Sequence, residues 1–184
     1  MQESPLTDLI IESKQRNAAA FRKLVEMHQA RVYSLAFRML CNEDDAKDVV
    51  QETYIRVWKH LDQYKTEMKY TTWLYAIASH LCYDRLKAIK RKGNVQQIDS
   101  ENLNFKFFLA DENIETAVIN SELAKIIMLL TDELTPKQKL VFTLRDLECL
   151  EIVEIETVTG LSADKIKSNL YLARQYIRKK LEKM

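Results

Sequence analysis

The chain has 184 residues, of which 47% are hydrophobic and 30% charged, with a formal net charge of +1. That length allows one or two domains with a real core, in the composition range of soluble globular proteins. A near-neutral total does not announce nucleic acid, so any such role rests on how the charge is distributed.

Only two Gly and two Pro leave little turn chemistry for hairpins, which predicts an all-α chain. No apolar run is long enough for a signal peptide or a membrane span. Cys41, Cys82 and Cys149 are far apart and odd in number. They fit reduced thiols in a cytoplasmic protein rather than a disulfide framework. His28, His60 and His80 make no metal spacing with them, so neither a metal nor another cofactor is expected.

In chain order, Thr7 precedes a short helix, DLIIES, and Asn17 precedes a long one. Phe21, Leu24, Val25, His28, Val32, Leu35, Ala36, Met39 and Leu40 form its apolar stripe, with His28 a packed residue rather than a ligand. The stretch DAKDVVQETYIRVWKHL, from Asp45 to Leu61, is a third helix, capped by Asn42. Ala46, Val49, Val50, Tyr54, Val57, Trp58 and Leu61 recur at three- and four-residue steps on one stripe. Glu43, Asp44 and Asp45 suit the positive end of its dipole. Its other face carries Asp48, Gln51, Glu52 and Ile55. Periodicity alone is satisfied by a solvated face with one exposed isoleucine.

A polar loop, DQYKTEMKY, then leads to a helix from Thr71 or Thr72 to about Lys92. Leu74, Ile77, Ala78, Leu81, Leu86 and Ile89 form its inner stripe. His80, Tyr83, Arg85 and Lys87 lie outside it, and Lys90, Arg91 and Lys92 close it. Cations at a helix C-terminus are explained by the dipole alone. With Tyr64, Lys65, Lys69 and Tyr70 in the loop, they also form the alternation of rings and cations that suits single-stranded nucleic acid. Gly93 and Asn94 stop the helix.

Periodicity then fails to about Glu112, an acidic linker with Phe105, Phe107, Phe108 and Leu109 clustered within it. Such a cluster packs on a domain or meets a partner. Ile114 to Leu130 is amphipathic. Thr135, Pro136 and Gln138 make a capping box with Pro at the first position, opening a helix through Leu147. A short helix from Glu151 to Val158, a turn at Thr159-Gly160-Leu161 and a long helix capped by Ser162 complete a helix-turn-helix. The second helix of that motif enters the major groove with its N-terminal residues. Leu161, Ile166 and Leu170 face inward by spacing. Lys165, Lys167, Ser168, Asn169 and Tyr171 reach base edges, while Arg174 and Arg178 suit phosphate.

Two blocks carry a resemblance. Asp45, Ala46, Asp48, Gln51, Glu52 and Trp58, followed by Thr72, Trp73, Leu74, Ile77, Ala78 and Asp84, match the second conserved region of bacterial sigma factors of the extracytoplasmic-function (ECF) group. Tyr54 stands where Phe is usual. Leu134, Val141, Phe142, Leu144, Arg145, Glu148, Glu154, Ile155, Gly160, Ser162, Lys167, Ser168, Leu170, Ala173 and Arg174 resemble the fourth region, with Pro136 one position late. The departures are Glu156 for a small Ala, Cys149 for Gly, and Asn169 and Leu172 for two arginines.

The resemblance implies two small helical domains, over residues 1–94 and 114–184, joined by a linker at 95–113. It implies that Asp48, Gln51, Glu52 and Ile55 dock on core RNA polymerase. Tyr64, Lys65, Lys69, His80, Tyr83, Arg85, Lys87, Lys90 and Arg91 would meet the minus-ten element of promoter DNA. Ser162, Lys165, Lys167, Ser168, Asn169, Tyr171, Arg174 and Arg178 would meet the minus-thirty-five element. Many members are held by an anti-sigma factor, often membrane-anchored, so one is expected here. A stand-alone helix-turn-helix regulator would account for the last fifty residues but not for Asp48, Gln51 and Glu52. No Gly-rich phosphate loop or nucleophile–base spacing points to an enzyme.

Overall fold

The computed structural model describes residues 5–91, 125–126, 129–131 and 133–183, and among them every regular element is helical. The linker at 95–113, its Phe105–Leu109 cluster and the stop at Gly93 and Asn94 lie outside the described residues, as does most of the helix expected over 114–130.

Helix α1 (Pro5–Lys14) starts two residues before Thr7, because proline suits a first helical position. Asn17 caps α2 (Ala18–Leu40), its side chain accepting from the Ala19 and Ala20 N–H groups at 3.0 and 3.2 Å. Asn42 caps α3 (Glu43–His60) through the Asp45 N–H at 2.9 Å. Between these caps, Cys41 adopts the left-handed conformation (φ 53°) that lets α2 end and the chain reverse. A single 3-10 turn, Leu61–Gln63, follows α3.

Helix α4 (Tyr70–Arg91) begins earlier than the threonines implied. Neither Thr71 nor Thr72 is its cap. Thr72 is buried, and its hydroxyl donates to a carboxylate of the C-terminal half, Glu154 Oε1, at 3.3 Å. Helices α2, α3 and α4 pack mutually, with α1 against α2. His28 sits inside this packing as expected, edge-on to Tyr70 at 5.2 Å. Burial lowers its pKa, so it is a neutral packed imidazole.

In the C-terminal half, Thr135 and Gln138 close the capping box of α5 (Pro136–Phe142). The helix expected to run to Leu147 changes register after Phe142 and continues as a π-helical stretch, Thr143–Leu147. There the Glu148 N–H reaches back to the Thr143 carbonyl at 2.9 Å. Helix α6 (Ile152–Thr159) and α7 (Ala163–Leu181) follow, joined through Gly160 at φ 68°. No atom would obstruct a Cβ there, so it is the backbone angle that calls for glycine.

The two halves are docked. Helix α4 packs on α6 and α5, and α2 on the π-helical stretch. One continuous cluster of buried apolar residues runs through both halves, from Leu24, Leu35 and Leu74 to Leu144, Ile155 and Ile166. Polar contacts frame it. Arg38 pairs with Glu148 and also donates to the Leu147 carbonyl, at 3.2 Å. The Tyr75 hydroxyl donates to the other Glu148 oxygen at 2.7 Å. Lys69 lies 2.9 Å from Glu154 Oε1.

Two outcomes follow from this packing. Leu144 is 0% exposed, so Leu144→Ala should destabilise the protein by roughly 2–5 kcal/mol in urea denaturation followed by circular dichroism. Glu154 is held below the usual carboxylate range by the Glu151 backbone N–H first, and then by Lys69. A carboxyl with a lowered folded pKa contributes stability at neutral pH, and that contribution fades as pH falls through the folded value. The stability difference between the native sequence and Glu154→Gln should therefore be largest near neutrality and shrink on acidification. A gap that stays constant across that titration would refute the assignment.

Candidate nucleic-acid and partner interface

The α3 stripe is buried at Ala46, Val49, Tyr54 and Val57, which turns Asp48, Gln51 and Ile55 outward. Glu52 is half-buried and pairs with Arg56, one turn on, at 2.8 Å. Ile55 is 40% exposed, and it is not a stray apolar residue. It forms one edge of an apolar groove of about 690 Å³ between α2 and α3, whose floor is Phe21, Val25, Val50, Tyr54 and Trp58. Gln51 and Lys59 add a polar margin. The face thus combines an acidic patch with an apolar hollow beside it, which suits a helical partner with cationic and apolar side chains.

Helix α4 sends Arg85 back toward α3 rather than outward. Its guanidinium spans Asp45 at 2.6 Å and Asp48 at 3.0 Å. Arg85, expected on the DNA side, therefore braces the acidic face in this arrangement.

The loop before α4 divides into two kinds of residue. Lys65 is exposed, and so is Lys69 apart from its contact with Glu154. Tyr64 and Tyr70 are buried, at 6% and 3% exposure, and the expectation that they offer rings for base stacking is corrected. The Tyr64 hydroxyl donates to the Met68 carbonyl at 2.6 Å, and its ring packs 5.5 Å from Tyr70 and 5.3 Å from Trp73. These rings shape the loop that carries the two lysines. Farther along α4, His80 and Lys87 are exposed, and the Lys87 ammonium lies 4.7 Å from the half-buried Tyr83 ring. Lys90 and Arg91 occupy the last turn of α4.

In the helix-turn-helix, Ile166, Leu170 and Ala173 are buried and Leu161 is half-buried. Lys165, Lys167, Ser168 and Tyr171 are exposed on the outer face, Tyr171 by 66%. Asn169 is half-buried, its amide donating to the Lys165 carbonyl at 2.7 Å. Ser162 holds the N-cap position without a side-chain bond. Glu156, on α6, caps α7 in its place: its carboxylate accepts the Ala163 N–H at 2.7 Å. The larger residue at this helix crossing thus has a structural use that its size alone did not reveal. Arg174 makes a two-bond pair with Asp146, at 2.9 and 2.5 Å, while Arg178 is exposed. Sequence reasoning missed Asp146, Glu148 and Glu154 as partners, since an isolated acidic residue carries no signal of the cation it meets across the fold.

The cationic outer face of α7, the lysine-bearing loop before α4 and the acidic α3 face with its groove are three distinct surfaces on one body. No helix among the described residues is long and apolar enough to cross a membrane. Family models for sigma-70 region 2 and sigma-70 region 4 match residues 24–92 and 124–177. The chain is 30% identical over 183 residues to the ECF RNA polymerase sigma-E factor of Haemophilus influenzae, covering 96% of each chain. It is 28% identical over 178 residues to the ECF RNA polymerase sigma factor SigW of Bacillus subtilis, covering 94% of each. Among solved structures, its fold is similar to that of CnrH in complex with the cytosolic domain of CnrY, with a TM-score of 0.69 at 20% identity over 97% of this chain and 98% of that one. It is also similar to the sigma factor RpoE of Bartonella quintana in complex with the anti-sigma factor NepR, with a TM-score of 0.67 at 18% identity over 88% and 96%. Both regions are present in order, and a relative matched over 96% of its length is 30% identical, so the chain belongs to the sigma-70 family, in its ECF group of RNA polymerase sigma factors.

Proposed function

We propose that this sigma factor docks on core RNA polymerase through Asp48, Gln51, Glu52 and Ile55. Lys65, Lys69, His80, Tyr83, Lys87, Lys90 and Arg91 then contact the minus-ten element, and the outer face of α7 reads the minus-thirty-five element. The reading rests above all on the sorting of α7. Its inward positions are buried and its first outward turns carry Lys165, Lys167, Ser168 and Tyr171, the side-chain types that meet base edges and phosphates in a major groove. The protein acts by binding rather than as an enzyme. It lends recognition and strand opening to a polymerase that does the chemistry.

An anti-sigma factor is a further proposed partner. One similar fold, RpoE of Bartonella quintana, is held by the anti-sigma factor NepR, and another, CnrH, by the cytosolic domain of CnrY; the apolar groove between α2 and α3 offers area for such a partner. The docked arrangement places the Glu154 carboxylate on Lys69 and Thr72, where it would compete with a DNA phosphate for that lysine. The direct test is run-off transcription with purified core polymerase on genomic fragments. Promoter-specific initiation that requires this chain supports the reading. DNA binding without any such initiation would favour a stand-alone regulator.

Residue roles separate by measurement. Asp48 is exposed and its contact with Arg85 is a surface pair, so Asp48→Lys should alter stability by no more than about 1 kcal/mol. The same change should weaken core binding by about 2 kcal/mol or more if the contact is desolvated in the complex. Native-like affinity of the folded variant, measured by competition for core, would remove this face from the reading.

On α7, Lys167→Ala and Asn169→Ala should each cost ~1–3 kcal/mol and relax preference at one upstream position. Arg178→Ala should weaken all sequences alike and reduce the salt dependence by about one phosphate. A randomised minus-thirty-five library distinguishes the two classes. Unchanged promoter choice by both Lys167→Ala and Asn169→Ala would show that α7 is not the reader.

A further inference from the structure

One side-chain pair lies apart from all three surfaces. Lys139 of α5 is 2% exposed, and its Nζ lies 3.2 Å from the Sγ of Cys41. The two residues stand 98 positions apart, one in each half, so the pair exists only while the halves are docked. A lysine head rarely enters a core unless an electron-rich group meets it, because burying an ammonium is costly. Here it meets a sulfur, the most readily oxidised atom type in the protein.

We propose that Cys41 and Lys139 form an oxidative modification site, at which peroxide joins Sγ to Nζ in a sulfenamide bond that staples the two halves together. The chemistry needs one peroxide and no other reactant. The Cys41 thiolate attacks the peroxide O–O bond; an S–O bond forms and hydroxide leaves. Sulfur is now electrophilic, and sulfenic acids condense with a neighbouring nitrogen in this way. Nζ attacks sulfur, the S–N bond forms and the S–O bond breaks. The ammonium gives up two protons in all, one to each hydroxide, so the balance is thiolate plus ammonium plus peroxide to sulfenamide plus two waters. Sulfur is oxidised and the peroxide oxygens are reduced. The flexible four-carbon stem of lysine lets Nζ close the remaining gap.

The other two thiols sharpen the assignment. Lys139 also acts electrostatically on Cys82, but Cys82 is 0% exposed and burial pushes its thiol up to about 12. It stays protonated and closed to oxidants. Cys41 is the less enclosed of the two, at 8% exposure. Cys149 is exposed and carries no comparable buried amine contact among the hydrogen bonds described.

The test treats the purified full chain, in a Cys149→Ser background, with hydrogen peroxide, followed by digestion and mass spectrometry. The expected product is a linked peptide pair containing Cys41 and Lys139, lighter than the two separate peptides by two hydrogens and released by a thiol reductant. It should be absent from Cys41→Ser and Lys139→Arg. Because either substitution at a buried site can unfold the chain, the urea-unfolded parent serves as a second control, with the same groups but no pairing and no linked peptide. Cys41 oxidised without a link, a link to Cys82, or an unreacted Cys41 would each overturn the proposal. Stapling is read separately, and that arm alone rests on the sigma-factor reading. The linked protein should lose run-off transcription and regain it on reduction, and full activity while linked would refute the staple. Inactivity of the untreated protein would instead count against the sigma reading, since the link itself is scored by mass.

Discussion

Glu148 ties the two halves of this protein into one body. One carboxylate oxygen meets the Arg38 guanidinium and the other accepts the Tyr75 hydroxyl, with the side chain itself 9% exposed. An ion pair so placed costs desolvation on forming, and leaves an uncompensated charge if one member is lost. Loss of either partner would therefore leave a poorly solvated charge where α2, α4 and the π-helical stretch meet. Glu154 repeats the device at the other edge of the interface, where it gathers Lys69 and Thr72. Between the two carboxylates lies the continuous apolar cluster that supplies most of the driving force.

The same contacts govern which surfaces the protein shows. The α3 face and the outer side of α7 remain open, while the lysine-bearing loop is partly covered. On the proposed reading, docking by an acidic residue on the cationic loop sets a carboxylate against a phosphate in competition for one lysine, Lys69.

Local chemistry explains what the sequence revealed. Asn17, Asn42, the Thr135–Gln138 box and Gly160 each act within a few residues of themselves, and each was legible before any coordinates. The stripes of α2, α3 and α7 were legible for the same reason. The errors share another cause. Thr72 read as a cap, but its partner lies 82 residues away, and the pairing of Arg85 with Asp48, 37 residues away, gave no local signal either. Tyr64 and Tyr70 looked like stacking rings because their spacing matched that reading equally well, and only tertiary packing with Trp73 settles them inside. Ile55 went the other way, from an isolated exposed residue to the rim of a groove formed with α2.

The Glu156 carboxylate on the Ala163 N–H has a consequence for how specificity is inherited. The N-terminus of α7 is anchored to α6 by the Glu156 side chain, and Ile166, Leu170 and Ala173 anchor its inner side. The frame is thus maintained by one set of residues and the reading by another. If the outward face reads promoter DNA as proposed, Lys165, Lys167, Ser168 and Tyr171 can be exchanged like type in a holder, and new promoter alphabets are open to descendants of this chain through a handful of surface changes, with the scaffold left as it stands.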